Sequence, residues 1–231
     1  MRWSKVIPAT VLLVAMTAAY WLDFGSYLSF DTLKMHRHML QAYVLDHPWQ
    51  APAFFVAIYT VSTALSLPGG AFLSLFGGFL FPQPWALLYV LLGATLGALA
   101  VFGAAKSALA ELFRKKAGGL LEQMSEGFQD NAVSYLLFLR LVPLFPFWLV
   151  NLAPAFFGVA VTTFAWTTFV GIIPGAFVFT QAGAGLGMIF DSGESFSLSA
   201  LFNRDMKIAL IALGLFALIP IFLKRFTRYH D

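Results

Sequence analysis

The sequence predicts an all-α polytopic membrane protein: about four transmembrane helices plus two opposed re-entrant hairpins in an inverted repeat, with surface amphipathic helices. Three observations predict it. The 231-residue chain is 60% hydrophobic and only 11% charged, with mean hydropathy +0.80, whereas water-soluble domains carry roughly 25% charge. From Gln50 to Ala105 no residue is charged, a length that exceeds two spans at about 20 residues each. Two apolar stretches, finally, are interrupted near their middle by prolines and glycines that a straight helix does not carry. The chain is read as a single membrane domain over 1–231. Within it lie an N-terminal span and amphipathic helix (1–49), a core (50–190), and a loop, last span and basic tail (191–231).

The elements follow in chain order. Val6–Leu22, after Arg2 and Lys5, reads as a signal anchor; Thr17-Ala18-Ala19 is a passable cleavage site, and whether the span is cleaved stays open. In 30–46, Phe30, Leu33, Leu40 and Val44 fall near one helical face while Lys34, Arg37, His38 and Gln41 lie elsewhere. This is an amphipathic surface helix, opened by Asp31 and ended by Pro48. His36 and His38 stand at i, i+2, on different sides of such a helix, and no third ligand completes a metal site; they read as solvated. Pro68-Gly69-Gly70 then separates two arms, 51–67 and 71–81, too short to span comfortably, so they form a hairpin that dips in and returns.

Trp85–Ala105 is a full span with a small-xxx-small surface at Gly93 and Gly97. The charged segment 106–131 is an amphipathic helix broken at Gly118-Gly119. The pattern repeats in 132–158: an apolar arm, Pro143 and Pro146, and a second arm ending near Gly158. Val159–Phe190 is read as one span and Ile208–Leu223 as the last. Gly93 and Gly97 follow Pro68 by 25 and 29 residues, and Gly171 and Gly175 follow Pro146 by the same offsets, as an inverted repeat requires. Trp3, Trp21, Trp49, Trp85, Trp148 and Trp166 lie mostly near span ends as interfacial anchors. Gly183-Ala184-Gly185-Leu186-Gly187 looks like a phosphate loop but follows no strand, so it is read as close helix packing.

Net charge is +3 and pI about 9.2. The cations flank apolar runs, a pattern of topology signals and lipid head-group contact rather than of a nucleic-acid face. With both termini inside, Arg2, Lys5, Lys106, Arg114, Lys115, Lys116, Lys224, Arg225 and Arg228 fall inside, against Lys34, Arg37, Arg204 and Lys207 outside. There is no cysteine, which excludes disulfides, thiolate metal sites and a cysteine nucleophile.

Arg140 is the only charge between Ala132 and Phe190. Holding it at membrane depth costs about 2.5–3.5 kcal/mol on insertion scales. Two readings are open. The side chain snorkels to the interface, or it lines a polar cavity and pairs with an anion, for which a guanidinium's planar donors are suited. In the second reading Asn151 adds to the same wall, and Pro68, Gly69 and Gly70 supply backbone amides from the other hairpin.

The runs SLPGGAFLSLFGGFLF and FLRLVPLFPFWLVNLAPAFFGV resemble the DedA superfamily, also called VTT-domain or SNARE-associated Golgi proteins, over roughly 50–190. The resemblance implies two opposed re-entrant hairpins and movement of lipids between leaflets, with bacterial members similar to flippases for undecaprenyl phosphate or phosphatidylethanolamine and eukaryotic ones to scramblases. It carries over Arg140, Pro143, Pro146, Asn151 and Gly158 to the second hairpin, and Pro68, Gly69, Gly77 and Gly78 to the first. It also suggests a bacterial inner membrane. Two departures stand out: Gly70-Ala71 where many bacterial members place a glutamate, and Lys106, which keeps the charge of a frequent arginine without its fork. Both point away from proton-driven antiport.

The expected function is therefore a lipid transporter of flippase or scramblase type for phospholipid or polyprenyl phosphate. Arg140 would contact the anionic head group, with Lys106 as a further head-group contact and no cofactor. Transport of a small anion or other solute, and a non-transporting membrane scaffold, are the alternatives; a homo-oligomer is compatible with either. Catalysis is discounted because no His, Asp or Glu occurs in 51–110 or 132–190, where a nucleophile or metal ligand would have to lie.

Overall fold

The computed structural model describes residues 30–67, 69–116, 128, 130–141, 147–186 and 211. Pro68, Pro143 and Pro146, Gly118-Gly119, the span expected at 6–22, the last span apart from residue 211, and the basic tail lie outside the described residues. Regular structure among the described residues is helical: α1 (Phe30–Asp46), α2 (Gln50–Ala64), α3 (Gly70–Leu80), α4 (Trp85–Lys116), α5 (Ala132–Leu141), α6 (Phe147–Phe156), α7 (Val161–Gly171) and α8 (Ile173–Ala184). These helices fall into two compact units. One contains α1, α2, α3, the part of α4 up to Ala98, and α8; the other contains α4 from Leu99 onward, α5, α6 and α7.

In the first unit, α2 and α3 fold back on each other. Phe55 on α2 packs its ring 6.4 Å from Phe76 and 5.4 Å from Phe81, while Tyr59, one turn on, meets Gly70 and Ser74 at the start of α3. The end of α2 is set locally. Ser66 adopts a left-handed φ of 52°, and the amides of Ser66 and Leu67 return to the carbonyls of Thr63 and Ser62. Those two bonds satisfy carbonyls the helix leaves open, at a cost of about 1–2 kcal/mol for a side chain in that conformation. The other end of the hairpin is fixed by proline chemistry. Phe81 is extended (φ −118°, ψ 143°) because Pro82 disfavours a helical residue before it.

Helix α3 has apolar residues on all sides and is correspondingly buried, from Phe72 through Phe79. It lies against α8 at backbone distance. A Cβ at Gly78 would run into the Thr180 carbonyl, and one at Gly183 into the Leu75 carbonyl. Leu75, Phe79 and Leu186 form the buried cluster here, with Leu40 of α1 packed on it. Leu40 and Val44 of α1 are half-buried and His36 and His38 exposed, as the amphipathic reading expects. Arg37, expected on the polar side, is half-buried as well, and the side chains of Phe30 and Leu33 lie outside the described ones.

Helix α4 runs for 32 residues, and its Trp85–Ser107 portion is long and apolar enough to cross a membrane. It outlasts the span expected to end at Ala105 because the charges beyond Lys106 sit among good helix formers (Ala, Leu, Glu, Lys). The segment expected as one span over 159–190 is not one continuous helix among the described residues. The helix breaks at Ile172, and α7 and α8 are long and apolar enough to cross a membrane only when taken together. Pro174 supplies the reason: in the first turn of α8 its missing N–H is harmless, whereas a continuous helix would need that donor.

Candidate functional site

The second unit is built around Arg140, in the last turn of α5. Its Nη2 donates to Asn151 Oδ1 on α6 at 2.8 Å and to Thr168 Oγ1 on α7 at 2.9 Å. The guanidinium carbon lies 5.3 Å from the centre of the Phe164 ring, which is itself stacked on Phe102 of α4 at 4.4 Å. Asn151 is 0% exposed and Thr168 1%. The cation is thus held by an amide, a hydroxyl and an aromatic face, and no carboxylate among the described residues pairs with it.

Backbone placement explains why the stem reaches this pocket. A Cβ at Gly171 would sit 2.8 Å from Arg140 Cβ, so the absent side chain is what lets α7 lie against the arginine. At the far end of α6, Gly158 takes a left-handed φ of 69° and the Val159 amide returns to the Pro154 carbonyl. Glycine there closes the helix without the Cβ penalty. Lys106 of α4 donates from Nζ to the Val159 carbonyl at 3.2 Å and lies 5.6 Å from the Phe102 ring centre. It therefore tethers the turn after α6, and two of its three N–H groups have no partner among the described residues.

Of the residues predicted from sequence, this unit brings together Arg140, Asn151 and Gly171, with Lys106 at its turn and Gly158 shaping α6. Pro143 and Pro146 lie outside the described residues. Thr168 and Phe164 were not predicted; α7 carries two threonine pairs, Thr162-Thr163 and Thr167-Thr168, and only the second is buried.

The other predicted positions belong to the first unit. Pro68 lies outside the described residues. The Gly69 carbonyl accepts the Leu73 amide at 2.8 Å, and Gly70 offers its carbonyl to Ser74 Oγ at 2.7 Å and to Tyr59 Oη at 3.1 Å, with the two hydroxyls 3.0 Å apart. A Cβ at Gly77 would lie 2.7 Å from the Phe55 ring. Gly93 and Gly97 admit Tyr59 and Thr63 of α2 against α4, and Thr60 Oγ1 adds a 3.3 Å bond to the Gly93 carbonyl. Gly175 breaks the expected pattern: among the described residues a Cβ there would meet nothing within 4 Å, so the repeat of packed glycines stops at Gly171. Packing, rather than phosphate binding, accounts for Gly183. No group of three His, Asp or Glu side chains that would hold a metal occurs among the described residues.

Comparison with known proteins places this architecture. The VTT domain profile matches residues 67–185. The chain is 30% identical to Transmembrane protein 41 homolog of Dictyostelium discoideum over 85% of its own length and 58% of the relative's. It is 28% identical to the Caenorhabditis elegans homolog over 74% and 68%, and 30% identical to Transmembrane protein 41B of Gallus gallus over 72% and 61%. It thus spans about three fifths of the length of such relatives, and no solved structure matches it. The matched segment runs from the turn before α3 through α8 and includes Arg140, Asn151 and Gly171, and on that ground the chain is a membrane protein of the VTT-domain family.

Proposed function

We propose that this protein moves lipids with anionic head groups between the leaflets of its membrane, and that Arg140 receives the head group. One observation carries the reading. A half-buried guanidinium in an apolar helical unit is held only by neutral partners among the described residues. An unbalanced cation at membrane depth is costly, and a phosphate with its acceptor oxygens is its natural complement. The reading places the α2–α3 and α5–α6 hairpins in the membrane as re-entrant elements from opposite faces. The tails stay in the hydrocarbon while the head group is handed along polar groups, with no bond made or broken. The lack of an intramembrane acid near the first turn, where Gly70-Ala71 stand, favours movement without proton coupling.

The test is leaflet exchange of a labelled anionic phospholipid by the full chain in liposomes. Arg140→Ala removes most of the protein-dependent rate. Arg140→Lys, which keeps the charge but not the fork, retains an intermediate rate. An Arg140→Ala protein that is folded and exchanges lipid as fast as the original rules out this role. Uptake of a soluble anion without lipid exchange would assign the site to solute transport instead.

A further inference from the structure

The Arg140 pocket contains a group that its internal hydrogen bonds leave unused. A guanidinium only donates, so the atom of Asn151 facing Arg140 Nη2 at 2.8 Å is the carboxamide oxygen, and Nδ2 points away. That nitrogen is buried, its residue is 0% exposed, and it has no hydrogen-bond partner. Leaving a buried amide donor unpaired costs about 1–3 kcal/mol. Among the described residues two other buried polar atoms are unpaired, Gln83 Nε2 and Thr95 Oγ1, and of the three residues Asn151 is the one with a hydrogen bond to a cationic side chain. Arg140 adds to the surplus: both N–H groups of Nη2 are taken by Asn151 and Thr168, while Nε and Nη1 have no partner among the described residues.

The first unit sharpens the contrast. There Tyr59 sits against Gly93 much as Arg140 sits against Gly171, and it too reaches a polar residue on the second arm of its hairpin, Ser74. That cluster closes on itself: both hydroxyl protons are used within it, on the neighbouring hydroxyl or the Gly70 carbonyl. Among the described residues the Arg140 cluster ends in unused donors of two kinds, the N–H groups of Nε and Nη1 and a neutral amide. An acceptor-only ligand completes it.

We infer that Asn151 is a second head-group ligand, and that its Nδ2 makes the α5–α6 hairpin a reader of tetrahedral phosphate rather than of negative charge in general. A carboxylate offers two oxygens in one plane, and the guanidinium's remaining N–H groups can engage it without the amide. A phosphate presents a further oxygen out of that plane for the amide. The inference rests on the lipid-moving reading only for the source of the phosphate, a membrane amphiphile.

The experiment compares binding of dodecyl phosphate and dodecanoate, which differ only at the head, to the full chain in nanodiscs. The unsubstituted protein prefers the phosphate. Asn151→Leu lowers that preference about tenfold, the loss of one hydrogen bond to a charged partner, because phosphate binding weakens while dodecanoate binding changes little. Thr168→Val, which removes a positioning contact only, weakens both ligands alike and keeps the preference. Asn151→Ser, a smaller change that retains an oxygen near Arg140, shifts the preference in the same direction and decides the matter should the leucine variant not fold. A folded variant with unchanged preference, or one that loses both ligands equally, overturns the inference. Displacement of dodecyl phosphate by inorganic phosphate at comparable concentration overturns the head-group assignment in favour of free phosphate. Binding is read without any lipid exchange. A chain that exchanges lipid but whose Asn151 variants keep the preference loses this inference alone, and a chain that exchanges none yet reads phosphate through Asn151 loses only the transport reading.

Discussion

Arg140 works through three features that act on different parts of one side chain: Gly171 at its stem, Phe164 at its face, and Asn151 with Thr168 at one nitrogen. The stem is the most constrained, since α7 backbone occupies the space beside it. Gly171→Ala brings a methyl to 2.8 Å from Arg140 Cβ and 3.1 Å from Cγ. These atoms are near the backbone and cannot swing aside, so α5 and α7 shift apart by a few tenths of an ångström or the arginine leaves its rotamer. We expect a stability loss of about 1–3 kcal/mol and, on the proposed function, a larger loss of about tenfold or more in leaflet exchange, because displacing the proposed head-group contact outweighs the packing strain. Thermal melting in detergent and the liposome assay on the same variant separate the two; equal activity with lowered stability would confine Gly171 to packing. The arginine itself is legible in the sequence as the lone charge in an apolar run, and Asn151 through its motif spacing. Thr168 and Phe164 are not: they lie 28 and 24 residues beyond Arg140, and only the fold of α7 back onto α5 brings them to it.

At the scale of helices, the sequence marks where elements stop more clearly than what they touch. The arms expected at 51–67 and 71–81 appear as Gln50–Ala64 and Gly70–Leu80, because proline and glycine chemistry acts on adjacent residues. The break at Ile172 was equally local, written in Pro174, but the strong apolarity of 159–190 masked it. Contacts between helices are less legible, and the glycines show why: a missing side chain reads the same whether it faces another backbone or open space. Gly78 and Gly183 face the α8 and α3 backbones; Gly175 faces nothing within 4 Å among the described residues. Their substitutions should therefore diverge. Gly78→Ala and Gly183→Ala each force two backbones apart and cost more than the usual 1–3 kcal/mol or so of overpacking. Gly175→Ala gains about 0.5–1 kcal/mol, the ordinary advantage of alanine in a helix. Melting temperatures of the three variants in one detergent check this, and a uniform response would mean that α3 and α8 are not in backbone contact.

For the molecule as a whole, helix length decides which elements can cross a bilayer. The apolar part of α4, Trp85–Ser107, has 23 residues and extends about 35 Å at 1.5 Å per residue, enough for a hydrocarbon core of about 30 Å. Helices α2 and α3 have 15 and 11 residues, or about 22 and 16 Å, and each falls short. Under the proposed re-entrant reading, a chain that enters through α2 has not crossed by the end of that helix, and α3 returns it to the face it left. The absence of cysteine makes the consequence directly measurable, because a single introduced thiol is the only one present. His47→Cys before α2 and Pro82→Cys after α3 should react with a membrane-impermeant maleimide from the same side of sealed vesicles. Lys116→Cys, at the end of α4, should react from the opposite side. By the positive-inside rule, the basic run Arg114-Lys115-Lys116 makes the cytoplasm the expected identity of that opposite side. Labelling of His47→Cys and Pro82→Cys from opposite sides would mean that α2 and α3 together span the membrane as a broken helix. The hairpin would then no longer be a re-entrant element, whatever the fate of Arg140 in the other unit.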